Sequence, residues 1–161
     1  MNDRAGRSAA RLAAVQALYQ MELNGSGAEE TVFEFTEHRF GREAETGTAG
    51  EVDIEFFRAL VLGVPEHQDE IDAGVTKVLS AEWRLSRIDS ILRAILRAAA
   101  FELIAMKDVP AKVVIDEYLD VSHAFFSGDE PSFVNAALDR LAHRKRAVEF
   151  GETPPDDELQ F

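Results

Sequence analysis

Between Ser86 and Met106 the chain reads SRIDSILRAILRAAAFELIAM, and this stretch constrains the fold more than any other. From Ile91 to Met106 only Arg93, Arg97 and Glu102 carry charge, while Ile91, Leu92, Ile95, Leu96, Phe101, Leu103 and Ile104 leave no broad polar face. A helix that is apolar almost all round must be enclosed by other elements. Charge interrupts it too often for it to span a bilayer. The pattern predicts the buried central helix of an all-α protein, with Ser86 as its N-cap and Asp89 three residues on as a weak capping box. The run Ala98-Ala99-Ala100 would let neighbouring helices approach closely.

Further helices follow from spacing. Residues from about Ser8 to Leu23 are rich in Ala and Leu, strong helix formers, and Asn24-Gly25-Ser26-Gly27 stops them. Val32, Phe33, Thr36 and Phe40 predict a second helix from about Glu29 to Arg42, and residues 41–50 read as a polar, Gly-containing loop. Ile54, Phe57 and Val61 repeat at i, i+3 and i+7 in a third helix that Gly63 would end. Pro65 would then open a fourth, with Ile71, Val75 and Val78 as its inner stripe. Ser80 to Leu85 reads as a short connection with Trp83 as a hydrophobic plug. Beyond the central helix and the turn at Lys107–Pro110, Val114, Tyr118, Val121 and Phe125 mark a sixth helix. Asp129 as N-cap and Pro131 in the first turn open a seventh, with Val134, Leu138 and Leu141 inside. No strand alternation and no internal repeat occurs. The expectation is all-α, about seven helices, in one domain over residues 1–147.

The ends and the composition narrow the function. No Lys or Arg follows Arg146, and GETPPDDELQF at the C-terminus reads as an acidic, disordered tail within residues 148–161. The chain has no cysteine, so it offers no disulfide framework, thiolate metal site or catalytic thiol. His38, His67, His123 and His143 never fall at i, i+4, no HExxH occurs, and there is no Walker loop, GxGxxG or GxSxG. Nothing points to an enzyme, a metal or a cofactor. With no signal-like leader and no membrane span, a cytoplasmic location is the default. A formal charge of −13 argues against broad coating of nucleic acid and leaves room for a local basic patch or a basic protein partner.

Arg4, Arg7 and Arg11 supply such a patch, at i, i+3 and i+7 on one side of the first helix. Cations in a first turn oppose the helix dipole. Two readings stand: a solvated basic end, or a surface that contacts phosphates. Arg93 and Arg97, at i, i+4 on the central helix, are expected to neutralise carboxylates within the fold.

Five segments in one order carry a resemblance: VQALYQMEL (Val15–Leu23), FFRALVLGV (Phe56–Val64), AILRAAAFEL (Ala94–Leu103), VPAKVVIDE (Val109–Glu117) and FVNAALDRLA (Phe133–Ala142). The series, over roughly residues 7 to 143, resembles the bacterial NusB family of transcription antitermination factors. The resemblance implies two packed three-helix subdomains, here about residues 7–80 and 81–147, and a protein that is not an enzyme. It implies binding to the boxA element of nascent ribosomal RNA together with the ribosomal protein NusE. The complex would join RNA polymerase and other Nus factors on ribosomal RNA operons. Unpaired boxA suits cations with aromatic stacking.

Arg7 and Arg11, with Arg4 just ahead, match the family's N-terminal arginine segment, and Gln16 and Tyr19 match its helix-one Gln and Tyr. Asp129, Phe133 and Asn135 match the start of its last helix. The RNA-binding candidates are therefore Arg4, Arg7, Arg11, Gln16, Tyr19, Phe133 and Asn135, with Asp129 and Lys112 as candidate partner contacts. Beside these stand plainer roles: Tyr19 as a boundary aromatic, Phe133 packed inward, Asn135 bonded to the preceding turn, and Asp129 as a cap. The chain departs from the family pattern at Ser8, Ala9 and Ala10, which thin the arginine run, and at Leu92, Asp116, Phe126, Glu130-Pro131 and Ala136. Two other functions remain open: a protein-interaction module, able to form a homodimer, and a relative of the RNA-binding domain of a ribosomal RNA cytosine methyltransferase. The latter enzyme also needs a Rossmann-like catalytic domain.

Overall fold

The computed structural model describes residues 3–40, 52–80 and 83–158, and among these it contains seven α-helices and no strand. They are α1 (Asp3–Asn24), α2 (Ala28–Glu34), α3 (Ile54–Glu66), α4 (Gln68–Val78), α5 (Ser90–Ala105), α6 (Ala111–Phe125) and α7 (Glu130–Lys145). A π-helical turn, Phe35–Phe40, continues α2, and 3-10 turns lie at Ala147–Phe150 and Asp156–Glu158. The loop expected at residues 41–50 lies outside the described residues.

The chain forms two compact units, Met1–Glu66 and His67–Phe161. The division falls at Glu66, not near residue 80. The inner stripe of α4 explains the difference: Ile71, Val75 and Val78 are buried, and α4 packs against α5 and α7.

In the first unit α1 lies against α3, with α2 against both. Ala10, Ala13, Ala14 and Ala17 give α1 a smooth buried face, and Phe57, Leu60, Val61 and Val64 of α3 are buried in the same unit. Phe57 stacks on Phe35 at 5.5 Å and meets Phe40 edge-on at 4.9 Å, a geometry aromatic pairs prefer. The π-helical turn carries both Phe35 and Phe40. Helix α3 does not stop at Gly63, which is buried within it, but runs on through Pro65 to Glu66. Pro65 therefore sits in the last turn of α3 instead of opening α4. Helix α1 begins at Asp3, earlier than expected, because its first turn is anchored: the Asp53 N–H donates to the Gly6 carbonyl at 3.1 Å.

In the second unit α5 is the central helix, in contact with α4, α6 and α7, and its residues from Ala98 to Leu103 are all buried. Its start differs from the expected one. The cap is Asp89, whose Oδ1 accepts from Ile91 N at 2.7 Å and Leu92 N at 3.4 Å. Upstream, Arg84 O accepts the Arg87 and Ile88 N–H groups, and Arg93 donates to Leu85 O at 2.8 Å and Ile88 O at 3.1 Å. These bonds hold residues 84–88 in a turn that a helix begun at Ser86 would destroy. Arg97 behaves as expected, with Nε and Nη2 each 2.9 Å from one oxygen of Asp72. Glu102 is fully buried and accepts the Tyr118 hydroxyl at 2.5 Å. Leu92 is buried too, so its departure from the family pattern presents nothing to a partner.

Helix α7 begins at Glu130 with Pro131 in its first turn, but the Asp129 carboxylate makes no capping bond. Only the Asp129 carbonyl engages, accepting the Phe133 N–H at 3.1 Å. After α7, Arg146 turns inward, and its guanidinium donates to the Leu103, Val109, Glu102 and Met106 carbonyls at 2.6 to 3.1 Å. It also pairs with Glu149, whose other oxygen accepts the Ala111 N–H at 2.9 Å. Desolvation raises the Glu149 carboxyl, yet those two bonds outweigh it and leave its pKa below the ordinary carboxylate value.

The acidic segment expected to be disordered instead has defined contacts up to Glu158. Asp157 pairs with Lys77 and Arg144, and Glu158 with Arg144 and Lys145. Composition shows the negative charge of this segment but not the cations that face it. Gly151, at φ +70°, supplies the left-handed turn that sends the chain back.

His143 reports on this return. Its Nδ1 lies 2.6 Å from Glu152 Oε1 and its ring stacks on Phe150 at 4.0 Å. The hydrogen bond to Glu152 raises its pKa above the ordinary 6.5, against slight desolvation and with help from the Glu152 and Asp139 charges. A raised folded pKa gives a stabilisation fully present below the unfolded value and lost as pH rises through the folded one. A proton NMR titration is expected to place His143 above its ordinary value, and Glu152→Gln to lower it.

Candidate nucleic-acid interface

The first unit offers a cationic ledge built on one aromatic ring. Asp53 caps α3 by accepting the Phe56 N–H at 3.0 Å. This fixes Phe56 beside the first turns of α1, where the Arg7 and Arg11 guanidiniums lie 4.6 Å and 4.9 Å from its ring centre. A cation over a ring face is held by the ring quadrupole. Asp53 also lies 3.9 Å from Arg7, a loose ion pair.

The three arginines predicted to act together are not equivalent. Arg4 is exposed, Arg7 is 38% exposed at its side chain, and Arg11 is only 2% exposed. Arg11 is therefore an interior support, and Arg4 and Arg7 are the cations that reach solvent. Phe56 and Asp53 were missed by sequence reasoning. The cap itself is legible, an Asp just ahead of a helix start, but nothing local to Phe56 marks it as the ring beneath the arginines.

Farther along α1, Gln16 is exposed and Tyr19 half-buried. Tyr19 lies ~22 Å along the axis from Arg4 and ~60° round it. Gln20, next to Tyr19, donates to Glu34 at 2.9 Å and accepts from Arg39 at 3.3 Å. Arg39 lies over the Phe35 ring at 4.3 Å. It is an exposed cation that sequence reasoning also missed, because the π-helical turn, which is rare and frequent at functional sites, sets its direction.

The second unit carries the other candidates. Phe133 is half-buried and stacks on Trp83, with centroids 4.6 Å apart and planes 28° from parallel. Trp83 is no buried plug: 44% of it is exposed. Trp83 borders a cavity of about 470 Å³ whose walls include Asp72, Arg84 and Arg97. Asn135 and Asp129 are exposed near the same end of α7. Lys112 is exposed in the first turn of α6, and α6 and α7 are packed neighbours joined by a short connection. Lys112 and Asp129 thus lie at opposite ends of this hairpin, ~20 Å apart, and do not form one contact surface.

Among the described residues no group of His, Asp and Glu is placed to hold a metal ion, and no helix is long and apolar enough to cross a membrane. Cations that reach solvent, with partly exposed aromatic side chains elsewhere in each unit, are the groups that suit phosphates and stacked bases.

Comparison with known proteins places the chain in a family. The NusB family model matches residues 8–143. A transcription antitermination protein NusB from Maricaulis maris is 54% identical over 144 residues, 89% of this chain and 90% of its own length. One from Bartonella tribocorum is 53% identical over 140 residues, 87% of this chain and 90% of its own. The structure of T. maritima NusB is similar with a TM-score of 0.71 at 28% identity, covering 96% of this chain and 97% of its own. A solved complex of antitermination factors NusB and NusE with double-stranded RNA contains a chain similar with a TM-score of 0.70 at 25% identity, covering 86% and 97%.

Proposed function

This chain belongs to the NusB family, and from that premise we propose that it is an RNA-binding transcription antitermination factor that engages boxA of nascent ribosomal RNA together with NusE. The work is recognition, not catalysis. Arg4 and Arg7 contact phosphates, Arg11 holds Phe56 and so positions Arg7, and Gln16 and Tyr19 meet bases along the same helix. Phe133 and Asn135 give a second contact through the stacked pair with Trp83, and Asp129 and Lys112 are contacts for protein partners. The observation that carries this reading is the pair of guanidiniums on the Phe56 ring, which fixes a cationic ledge on a chain of net charge −13.

The test is fluorescence anisotropy with labelled boxA RNA, with and without NusE, across a salt series. Arg4→Ala with Arg7→Ala is expected to weaken binding about tenfold at low salt. Two lost phosphate contacts should flatten the log–log salt slope by about 1.4, at roughly 0.7 per contact on a single strand. A chain that, with NusE, binds a scrambled RNA as well as boxA would overturn the reading.

A further inference from the structure

The returning C-terminal segment closes on a cluster of cations. Lys77 of α4 and Arg144 and Lys145 in the last turn of α7 stand together opposite Asp157 and Glu158. Asp157 bridges Lys77, at 3.1 Å, and Arg144. Glu158 bridges Arg144 at 3.0 Å and Lys145 at 2.6 Å, and its side chain is only 8% exposed. Each carboxylate therefore holds two cations. Two successive phosphates of a nucleic-acid strand make the same demand, since each offers several acceptor oxygens to Arg and Lys. A groove of about 370 Å³ runs beneath the segment, lined by Lys107, Arg144, Lys145 and Glu158 among others. Lys77 and Arg144 hold the Asp157 carboxyl below its ordinary pKa, so it stays charged in its place.

We propose that Lys77, Arg144 and Lys145 form a second binding patch for the RNA backbone, kept closed by Asp157 and Glu158 as an internal substitute for phosphate. The inference rests on the RNA-binding reading above. The Lys77–Asp157 pair is about half exposed, and such pairs are individually weak and screened by salt, so displacement of the segment starts there. Tethering gives its carboxylates a high effective concentration, so a free oligonucleotide competes poorly while a strand already held elsewhere on the molecule competes well. The patch thus responds to long transcripts more than to short ones.

The experiment compares the full-length chain with its Asp157→Asn, Glu158→Gln double variant. Anisotropy of a labelled uridine oligomer is followed across a salt series, with circular dichroism confirming an unchanged helical signal. The double variant is expected to bind about three- to tenfold more tightly at low salt, with a slope steeper by about 2 for three freed cations. Adding Lys77→Ala and Lys145→Ala should remove most of the gain. Asp157→Asn alone, at a carboxylate that is half exposed, should give a smaller gain of the same sign. Glu55→Gln with Glu66→Gln makes the same change in net charge elsewhere and should leave binding unchanged. No gain, or an equal gain in that control, overturns the proposal. Binding of labelled polyglutamate in place of the uridine oligomer assigns the patch to an acidic protein and overturns the RNA assignment. Failure of the boxA reading shows separately, as a parent chain without preference for boxA over a scrambled RNA.

Discussion

Arg146→Ala is expected to remove about 3–5 kcal/mol of stability from the second unit. The last carbonyls of a helix have no partner within it. Here the Arg146 guanidinium supplies donors to the carbonyls of Glu102 and Leu103 in the last turn of α5, and to Met106 and Val109 just beyond it. Arg146 is 5% exposed, so water has little access to replace it. The Glu102 and Met106 carbonyls also accept the Met106 and Val109 N–H groups, each at 3.0 Å, so the substitution strands mainly Leu103 and Val109. Each buried acceptor left alone costs about 1–3 kcal/mol, and Glu149 would lose its counter-ion as well. Urea unfolding followed through Trp83, the only tryptophan of the chain, reports on this unit alone. The midpoint should fall by about 2 M with the slope unchanged. Arg146→Lys should recover less than half, because an ammonium cannot present a planar fork to several carbonyls at once. A loss below about 1 kcal/mol would mean that another group satisfies these acceptors.

Phe56→Ala is expected to cost about 4 kcal/mol in the first unit and to weaken boxA binding at least as much as removal of Arg7. Removing a buried phenylalanine costs about 3–5 kcal/mol through lost transfer energy and the cavity left behind. Phe56 is 4% exposed, and it carries two guanidiniums, one of them buried. A desolvated cation over a ring contributes about 2 kcal/mol or more, and that support goes with the ring. Phe56→Leu separates the two effects: it keeps most of the volume and loses the ring face. That variant should remain folded, by circular dichroism, and bind boxA several-fold more weakly. If it binds as the parent does, the ring does not support the ledge.

Much of the fold is legible in the sequence because helical periodicity reports burial directly. The enclosed character of α5 follows from residues 91–104 alone, and the inner stripes of α4, α6 and α7 fall where the spacing puts them. Boundaries are less legible because they depend on partners distant in sequence. Ser86 and Asp89 are both good N-caps, and Arg93, reaching back to Leu85 and Ile88, goes with the later one. Gly63 and Pro65 look like a stop and a start, yet α3 runs through both. The disordered tail was inferred from its own composition, and composition is blind to Lys77, Arg144 and Lys145 waiting opposite.

The candidate site divides the same way. Arg4 and Arg7 are recognisable as an exposed pair from their place ahead of the Ala-rich face. Arg11 shares their side by simple periodicity, but it neighbours Ala10 and Ala14 on the face that α3 covers, so its burial was readable there. The platform beneath it was not, because Phe56 lies forty-five residues away in sequence and α3 has another phenylalanine, Phe57, that takes the inner stripe. Trp83 and Phe133 are fifty residues apart, and nothing local to either announces the stack.

The bonds made by Arg146 also impose an order of events during synthesis. Its four carbonyl partners precede it by between 37 and 44 residues. While the nascent polypeptide is still emerging, the end of α5 must wait, half-finished, for a side chain not yet outside the ribosome. A message cut short before codon 146 would therefore yield a product with every helix written and its keystone missing, a ready target for proteolysis.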